Sequence, residues 1–260
     1  MRRLVTCAAL AGVMTGTARA QSPDLVTDRP DQTESAAVVP PGWIQFEGGL
    51  DFGMQRSQVA GVEHKLDAFN LPAALLRIGV LPSVELRLGA GYTHQESSLD
   101  SRDQHTLSGL SNVSVGAKVR LGHEQGLRPE TALLAQFTLP VGRADLRSER
   151  VVSEVRLAAA HTLSERVGVA YNVGGSWESS EAWAVLYTVA LGAELTPGVG
   201  GFVEVFGERA RGVPVSVSLD GGFTVTLVPN VQLDVAAGVG LRGPVDDVFV
   251  GTGFSVRLPR

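Results

Sequence analysis

Charged residues in this 260-residue chain tend to fall two or four positions apart, or singly, within alternating stretches. Glu47 and Asp51, Glu85 and Arg87, Lys118 and Arg120, and Glu154 and Arg156 are such sets, with Glu194, Glu204, Asp220, Asp234 and Arg257 placed singly. Residues two apart lie on one face of a strand. These thirteen side chains are therefore candidates for one shared polar surface. Acids and bases lining a pore select a small solute by hydrogen bonds and local field. The same groups paired with one another would instead close the space, since buried charges are tolerable only when paired. Both outcomes are open at this level.

Other candidate chemistry is thinner. His94, Glu96 and Ser98 share one parity, and that spacing would let a histidine activate a serine with a carboxylate orienting it. They follow an apolar face into a serine-rich stretch, where polar residues are expected in any case. Gly238, Gly240 and Gly243 fit a G-x-G-x-x-G pattern, but Pro244-Val245-Asp246 follows where a nucleotide site needs a helix. His64, His94, His105, His123 and His161 have no ligand spacing. No catalytic residue, metal site or cofactor is expected.

The elements that must position the charges alternate with period two. Ile44, Phe46, Leu50 and Phe52 oppose Gln45, Glu47, Asp51 and Gly53; Val113, Val115, Ala117 and Val119 oppose Ser114, Gly116 and Lys118. The pattern recurs at 84–94, 155–163, 167–177, 183–195, 215–227, 231–241 and 248–258, with weaker versions at 68–80, 131–139 and 199–208. This predicts twelve strands of about ten residues. One face is Val, Leu and Ala. The other is mostly Gly, Ala, Ser and Thr with single charges, which suits the crowded inside of a modest barrel. Trp43, Tyr92, Trp177, Trp183 and Phe254 sit near strand ends, as interfacial girdles do. An open edge is untenable in hydrocarbon, so such a sheet must close. The competing reading is a secreted β-sandwich.

Short turns at 81–83, 164–165, 196–198 and 228–230 alternate with longer polar stretches at 55–66, 96–109, 141–150 and 209–214. Outer-membrane barrels have short periplasmic turns and longer outer loops. Twelve strands then leave both ends of the barrel chain on the periplasmic side. Residues 122–129 are long for an inner turn.

Composition narrows the class further. The chain is 44% hydrophobic with a net charge of −5 and 31 glycines. Disorder, collagen and nucleic-acid partners are disfavoured. After the N-terminal stretch no apolar run is long enough for a membrane helix. Arg2 and Arg3, the apolar Leu4 to Thr17 and the Ala18-Arg19-Ala20 site read as a signal peptide over residues 1–20. The one cysteine, Cys7, lies within it.

Two N-terminal stretches resemble a known family. Asp28-Arg29-Pro30-Asp31-Gln32-Thr33-Glu34-Ser35, followed by Val39-Pro40-Pro41-Gly42-Trp43-Ile44-Gln45-Phe46-Glu47, is similar to the opening of bacterial barrels named for a meta-pathway of phenol degradation. Leu75 to Gly79 with Val84 to Leu88, Phe202 to Glu208 and Pro229 to Asp234 resemble later phrases of that family. The resemblance implies a transporter-like outer-membrane barrel with a link to aromatic catabolism, and no catalytic motif. Such barrels often end in an aromatic residue; here the end is Leu258-Pro259-Arg260, and Phe254 is the nearest equivalent.

The expectation is an all-β, twelve-stranded, up-and-down transmembrane barrel over residues 43–260. Residues 21–42 form a periplasmic lead-in, folding as a small plug through Asp28, Arg29, Asp31 and Glu34. The function expected is passive passage of a small, aromatic or hydrophobic solute across the outer membrane. A closed structural barrel and an outer-membrane lipid hydrolase are the alternatives. Membrane lipids and the outer-membrane assembly machinery are the expected partners.

Overall fold

The computed structural model describes residues 24–59, 62–99, 103–179 and 182–260. The signal-peptide reading of residues 1–20 lies outside them. The described residues form twelve strands: β1 (Trp43–Val59), β2 (Val62–Leu81), β3 (Val84–Leu99), β4 (Asp103–Gly122), β5 (Glu130–Leu139), β6 (Val152–Thr162), β7 (Val167–Trp177), β8 (Trp183–Thr196), β9 (Val199–Ala210), β10 (Ser216–Val228), β11 (Val231–Arg242) and β12 (Val248–Pro259). Each pairs antiparallel with its sequence neighbours. β1 pairs with β12 from Trp43↔Pro259 to Met54↔Val248, so the sheet closes and leaves no unpaired edge strand in the wall.

The two faces see opposite solvents. On the outward parity of β7 to β10, Val173, Val189, Val203 and Phe223 are more than half exposed, whereas inward Glu204 and Asp220 are 1% and 5% exposed. A soluble protein would bury the first group and hydrate the second. A continuous outward apolar band of this size is incompatible with water and matches hydrocarbon. No helix among the described residues is long and apolar enough to cross a membrane, so the crossing elements are strands.

Two sequence expectations need correction. The stretches 55–66 and 96–109 are mainly paired strand: Gln55↔Leu66 to Val59↔Val62 extends β1–β2, and Glu96↔Thr106 to Leu99↔Asp103 extends β3–β4. The first four strands therefore run 16 to 20 residues instead of about ten. Both faces are polar there, so the alternation that marks a strand in a lipid wall is lost while the backbone ladder continues. Residues 122–129, long for a turn, close on themselves through a Gln125↔Arg128 bridge, with Gly126 at φ +57°.

β2 carries the irregularity that matters most. Its register slips against β1 between Gly49 and Asp51, and against β3 between Asn70 and Ala74. Pro72 lies inside that slip. A proline cannot donate to a ladder, so it is tolerated at a bulge. The extra residue inverts the strand's parity. Asn70 faces inward on the even side, where its Oδ1 accepts from Thr93 at 2.9 Å, and beyond the slip the odd-numbered Arg77 faces inward.

Candidate functional site

Residues 24–42 enter the barrel at the end with the short turns, rise to Arg29–Gln32, and return to β1. Their backbone is held by the wall. Arg257 donates to the Asp24 carbonyl at 2.7 Å, Gln45 to Val26 at 2.9 Å, Lys118 to Ser35 at 3.0 Å and Arg77 to Ala37 at 3.1 Å. The Val39 N–H donates to Glu85 at 2.7 Å. Gly79 permits the return: a Cβ there would strike the Pro40 and Val39 carbonyls.

A buried ion cluster lies between this segment and β1–β4. Arg77 bonds Glu47 at 2.9 Å, Glu85 at 2.9 and 3.0 Å, and Asp28 at 3.0 Å. Arg87 reaches Asp28 at 2.6 Å and Glu34 at 2.8 Å, and Lys118 reaches the same two at 2.8 and 3.0 Å. Three cations thus face four carboxylates, two of which come from the segment. Burial pushes the Asp28 carboxyl up, but Arg77, Lys118 and Arg87 outweigh it and hold it well below the ordinary range. Asp28 also accepts from the Ser35 N–H and hydroxyl, at 2.9 and 2.6 Å, which ties the ascending limb to the descending one.

The tip is secured higher up, on β1 and β11 and on the facing strands β7 to β9. Arg29 lies 3.5 Å from Asp51 and 3.4 Å from Asp234. The Gln32 N–H donates to Glu204 at 2.7 Å, and the Thr33 hydroxyl bonds Glu204 and Thr188. Glu34 exchanges two backbone bonds with the Asn172 amide, at 2.7 and 3.0 Å. Asp31 is held well above the usual carboxylate range by burial first and then by the Glu204 charge.

Above the tip the lumen is hollow. One cavity of about 470 Å³ is lined by Arg29, Asp51, Asn70, Phe206, Asp220, Asp246 and Phe249. A second of about 330 Å³ is lined by Glu154, Arg156, Leu186, Thr188 and Glu208. The two share Gln32, Phe206, Ser218, Pro244 and Val245. Residues 243–247 fold inward between them: the Asp247 N–H donates to the Met54 carbonyl at 2.7 Å, and Gln55 donates to Val245 at 3.3 Å. The Asp246 carboxyl is pushed up by burial and by neighbouring Asp247.

The thirteen candidates fall into distinct groups. Glu47, Glu85, Arg87 and Lys118 are in the ion cluster, and Arg257 braces the entrance. Asp51, Asp234, Glu204 and Asp220 lie around or above the tip. Glu154 and Arg156 pair with each other at 3.0 Å on the wall of the second cavity. Arg120 and Glu194 are not brought into the site: Arg120 donates to the Pro82 carbonyl at the turn end, and Glu194 is exposed beside the β8–β9 turn.

Arg77, the hub, is not among the thirteen, because β2 reads as apolar on both faces until the slip at Pro72 is known. Its local alternation with Leu76 and Ile78 was the available signal. The His94–Glu96–Ser98 set is not assembled: His94 Nδ1 contacts the Ser108 hydroxyl at 2.6 Å, while Ser98 pairs with Gln104 further up the strand. Glu96 is mostly exposed and 3.4 Å from the ring, so it orients the imidazole weakly. No group of His, Cys, Asp and Glu among the described residues is placed to hold a metal.

A closed twelve-stranded sheet, apolar outside and charged within, defines an outer-membrane-type β-barrel. Residues 27–258 match the family described as "Putative MetA-pathway of phenol degradation", and the chain belongs to that family. No curated protein matches it in sequence. An outer membrane channel from Pseudomonas putida F1 has a similar structure, with a TM-score of 0.65 at 13% identity over 85% of this chain and 97% of that one. The translocator domain of the autotransporter NalP from Neisseria meningitidis scores 0.57 at 11% identity, over 83% and 88% of the two chains. A deletion mutant of the monoaromatic hydrocarbon channel TodX scores 0.50 at 10% identity, over 85% and 91%. At these identities the likeness is one of fold.

Proposed function

We propose that this protein is an outer-membrane channel that passes a small, aromatic or apolar solute, with residues 24–42 as the plug that gates it. The carrying observation is the vertical division of the lumen: a hollow, partly aromatic chamber at the loop end and a packed, ion-paired segment at the turn end. Membership of the phenol-degradation family and a fold shared with a monoaromatic hydrocarbon channel support the choice of solute. In this reading the loop end faces outward, the turn end faces the periplasm, and residues 1–20 are a cleaved export signal. Solute would collect in the chamber and leave past the plug down its own gradient.

The chemistry favours gating over a permanent seal. The plug is held by polar contacts that water can replace, with few large apolar anchors, so its seating is open to competition. Deleting residues 24–39 from the purified barrel should raise single-channel conductance in a planar bilayer. A folded barrel whose conductance is unchanged by the deletion would refute the plug.

A further inference from the structure

The register of β9 to β12 and β1 puts Glu204, Asp220, Gly238, Phe249 and Gly53 in one row across the lumen wall. Gly238 has no side chain to hold Phe249 away; a Cβ there would strike both the Phe249 ring and Asp220. The ring therefore lies over Gly238 on the same side as the Asp220 Cβ. On the other flank, Phe206 stands two residues above Glu204, opposite Ser218. Its ring meets Phe249 edge-on, with centroids 5.9 Å apart and planes at 68°. The pair borders the 470 Å³ cavity together with Asp220.

Asp220 has an oxygen to spare. It faces Glu204 across the β9–β10 pair, and its Oδ1 has no partner among the described residues, although the residue is only 5% exposed and lines the cavity. A buried, unmet acceptor is costly until something donates to it. The cavity's charges say what should donate. Asp51, Asp220 and Asp246 line it with one cation, Arg29, which already engages Asp51 and Asp234. A further anion would be repelled, a ring without a donor would leave the Asp220 oxygen unmet, and a neutral hydroxyl would meet the oxygen but not the excess negative charge. A cation with an apolar body meets both needs: its N–H groups reach the carboxylate and its positive charge lies against aromatic rings.

We propose, resting on the channel reading above, that this cavity binds organic ammonium ions carrying an aromatic or comparable apolar group, with Asp220 as the acceptor and Phe206–Phe249 as the ring wall. A bare metal ion fits poorly, because two sides of the site are hydrocarbon.

Titration calorimetry on the full chain in detergent tests this with 2-phenylethylammonium, its near-isostere 2-phenylethanol, phenylacetate and methylammonium. The ammonium should bind saturably and at least about tenfold more tightly than the alcohol, with phenylacetate weaker still. Asp220→Asn should abolish the preference for the ammonium over the alcohol while the barrel keeps its heat-modifiable mobility. Phe249→Leu should weaken 2-phenylethylammonium but leave methylammonium unchanged. Equal binding of ammonium and alcohol, or an Asp220→Asn variant that keeps the preference, would overturn the proposal, as would methylammonium binding as tightly as the aromatic amine. Conductance of the plug-deleted barrel reports separately on the channel. Selective binding without a conductance change would sink the channel and keep the site; conductance without selective binding would do the reverse.

Discussion

Replacing Arg77 by Met tests how the plug is held. The side chain is 1% exposed and bonds three carboxylates and two plug carbonyls. With the plug seated, the variant leaves Glu47 and Glu85 buried without their main counter-ion. With the plug out, the lumen fills with water and both are hydrated, so nearly all the penalty falls on seating. Breaking a buried pair by removing one partner costs about 3–5 kcal/mol. Residual partners favour the lower end: Glu47 keeps Gln45 and the Asp28 N–H at 2.6 and 2.9 Å, and Glu85 keeps Arg87 and the Val39 N–H at 3.1 and 2.7 Å. About 3 kcal/mol shifts the plug equilibrium about 10²-fold. Glutamyl-specific cleavage at Glu34, followed by mass spectrometry in detergent, reads the open population when reclosing outpaces cleavage. Arg77→Met should raise that rate about 10²-fold, and Arg156→Met, whose pair is partly solvated, only a few-fold. A rate for Arg77→Met within about threefold of wild type, in a barrel of normal heat-modifiability, would refute the reasoning.

Three further outcomes follow from the same contacts. Asp28 is held below its ordinary value of 3.8, so its contribution to seating is full above that pH and is lost as pH falls through its lowered value in the folded chain; Asp31 is held above 3.8, so protonating it on the way down from neutrality favours seating. Conductance should therefore fall slightly on acidification from neutrality and rise only once pH drops through the lowered Asp28 value, and Asp31→Asn should shrink the first limb while leaving the second. Gly79→Val places side-chain atoms against the Pro40 and Val39 carbonyls and should speed cleavage at Glu34 without lowering barrel yield. Val205→Arg, on the outward face of β9, should destabilise the barrel in lipid by about 2–4 kcal/mol in denaturant unfolding, whereas the inward Ser218→Arg should cost clearly less.

Most of the wall was readable because a strand in a membrane barrel has a different solvent on each face. Val203, Val205 and Glu204 report both solvents within three residues. Where that contrast vanishes, reading fails. The upper halves of β1 to β4 are polar on both faces and looked like loops, and β2 near Pro72 is apolar on both faces and hid Arg77. The plug motif at 28–35 stood out through its resemblance to a family, yet its partners could not be named. Asp28 and Lys118 are ninety residues apart, and no local pattern links them. The cavity acceptor Asp220 was visible as an inward acid, but its unpaired oxygen was not.

Strand number, the apolar exterior, the charged interior and the closure of the sheet are all carried by local alternation, because a sheet in hydrocarbon tolerates no open edge. Which charges meet is a matter of the folded chain. Contact across a lumen depends on register, on a single bulge that inverts parity, and on a segment threaded through the middle. These are long-range relations, fixed by ion pairing and packing between residues that share no neighbourhood along the chain.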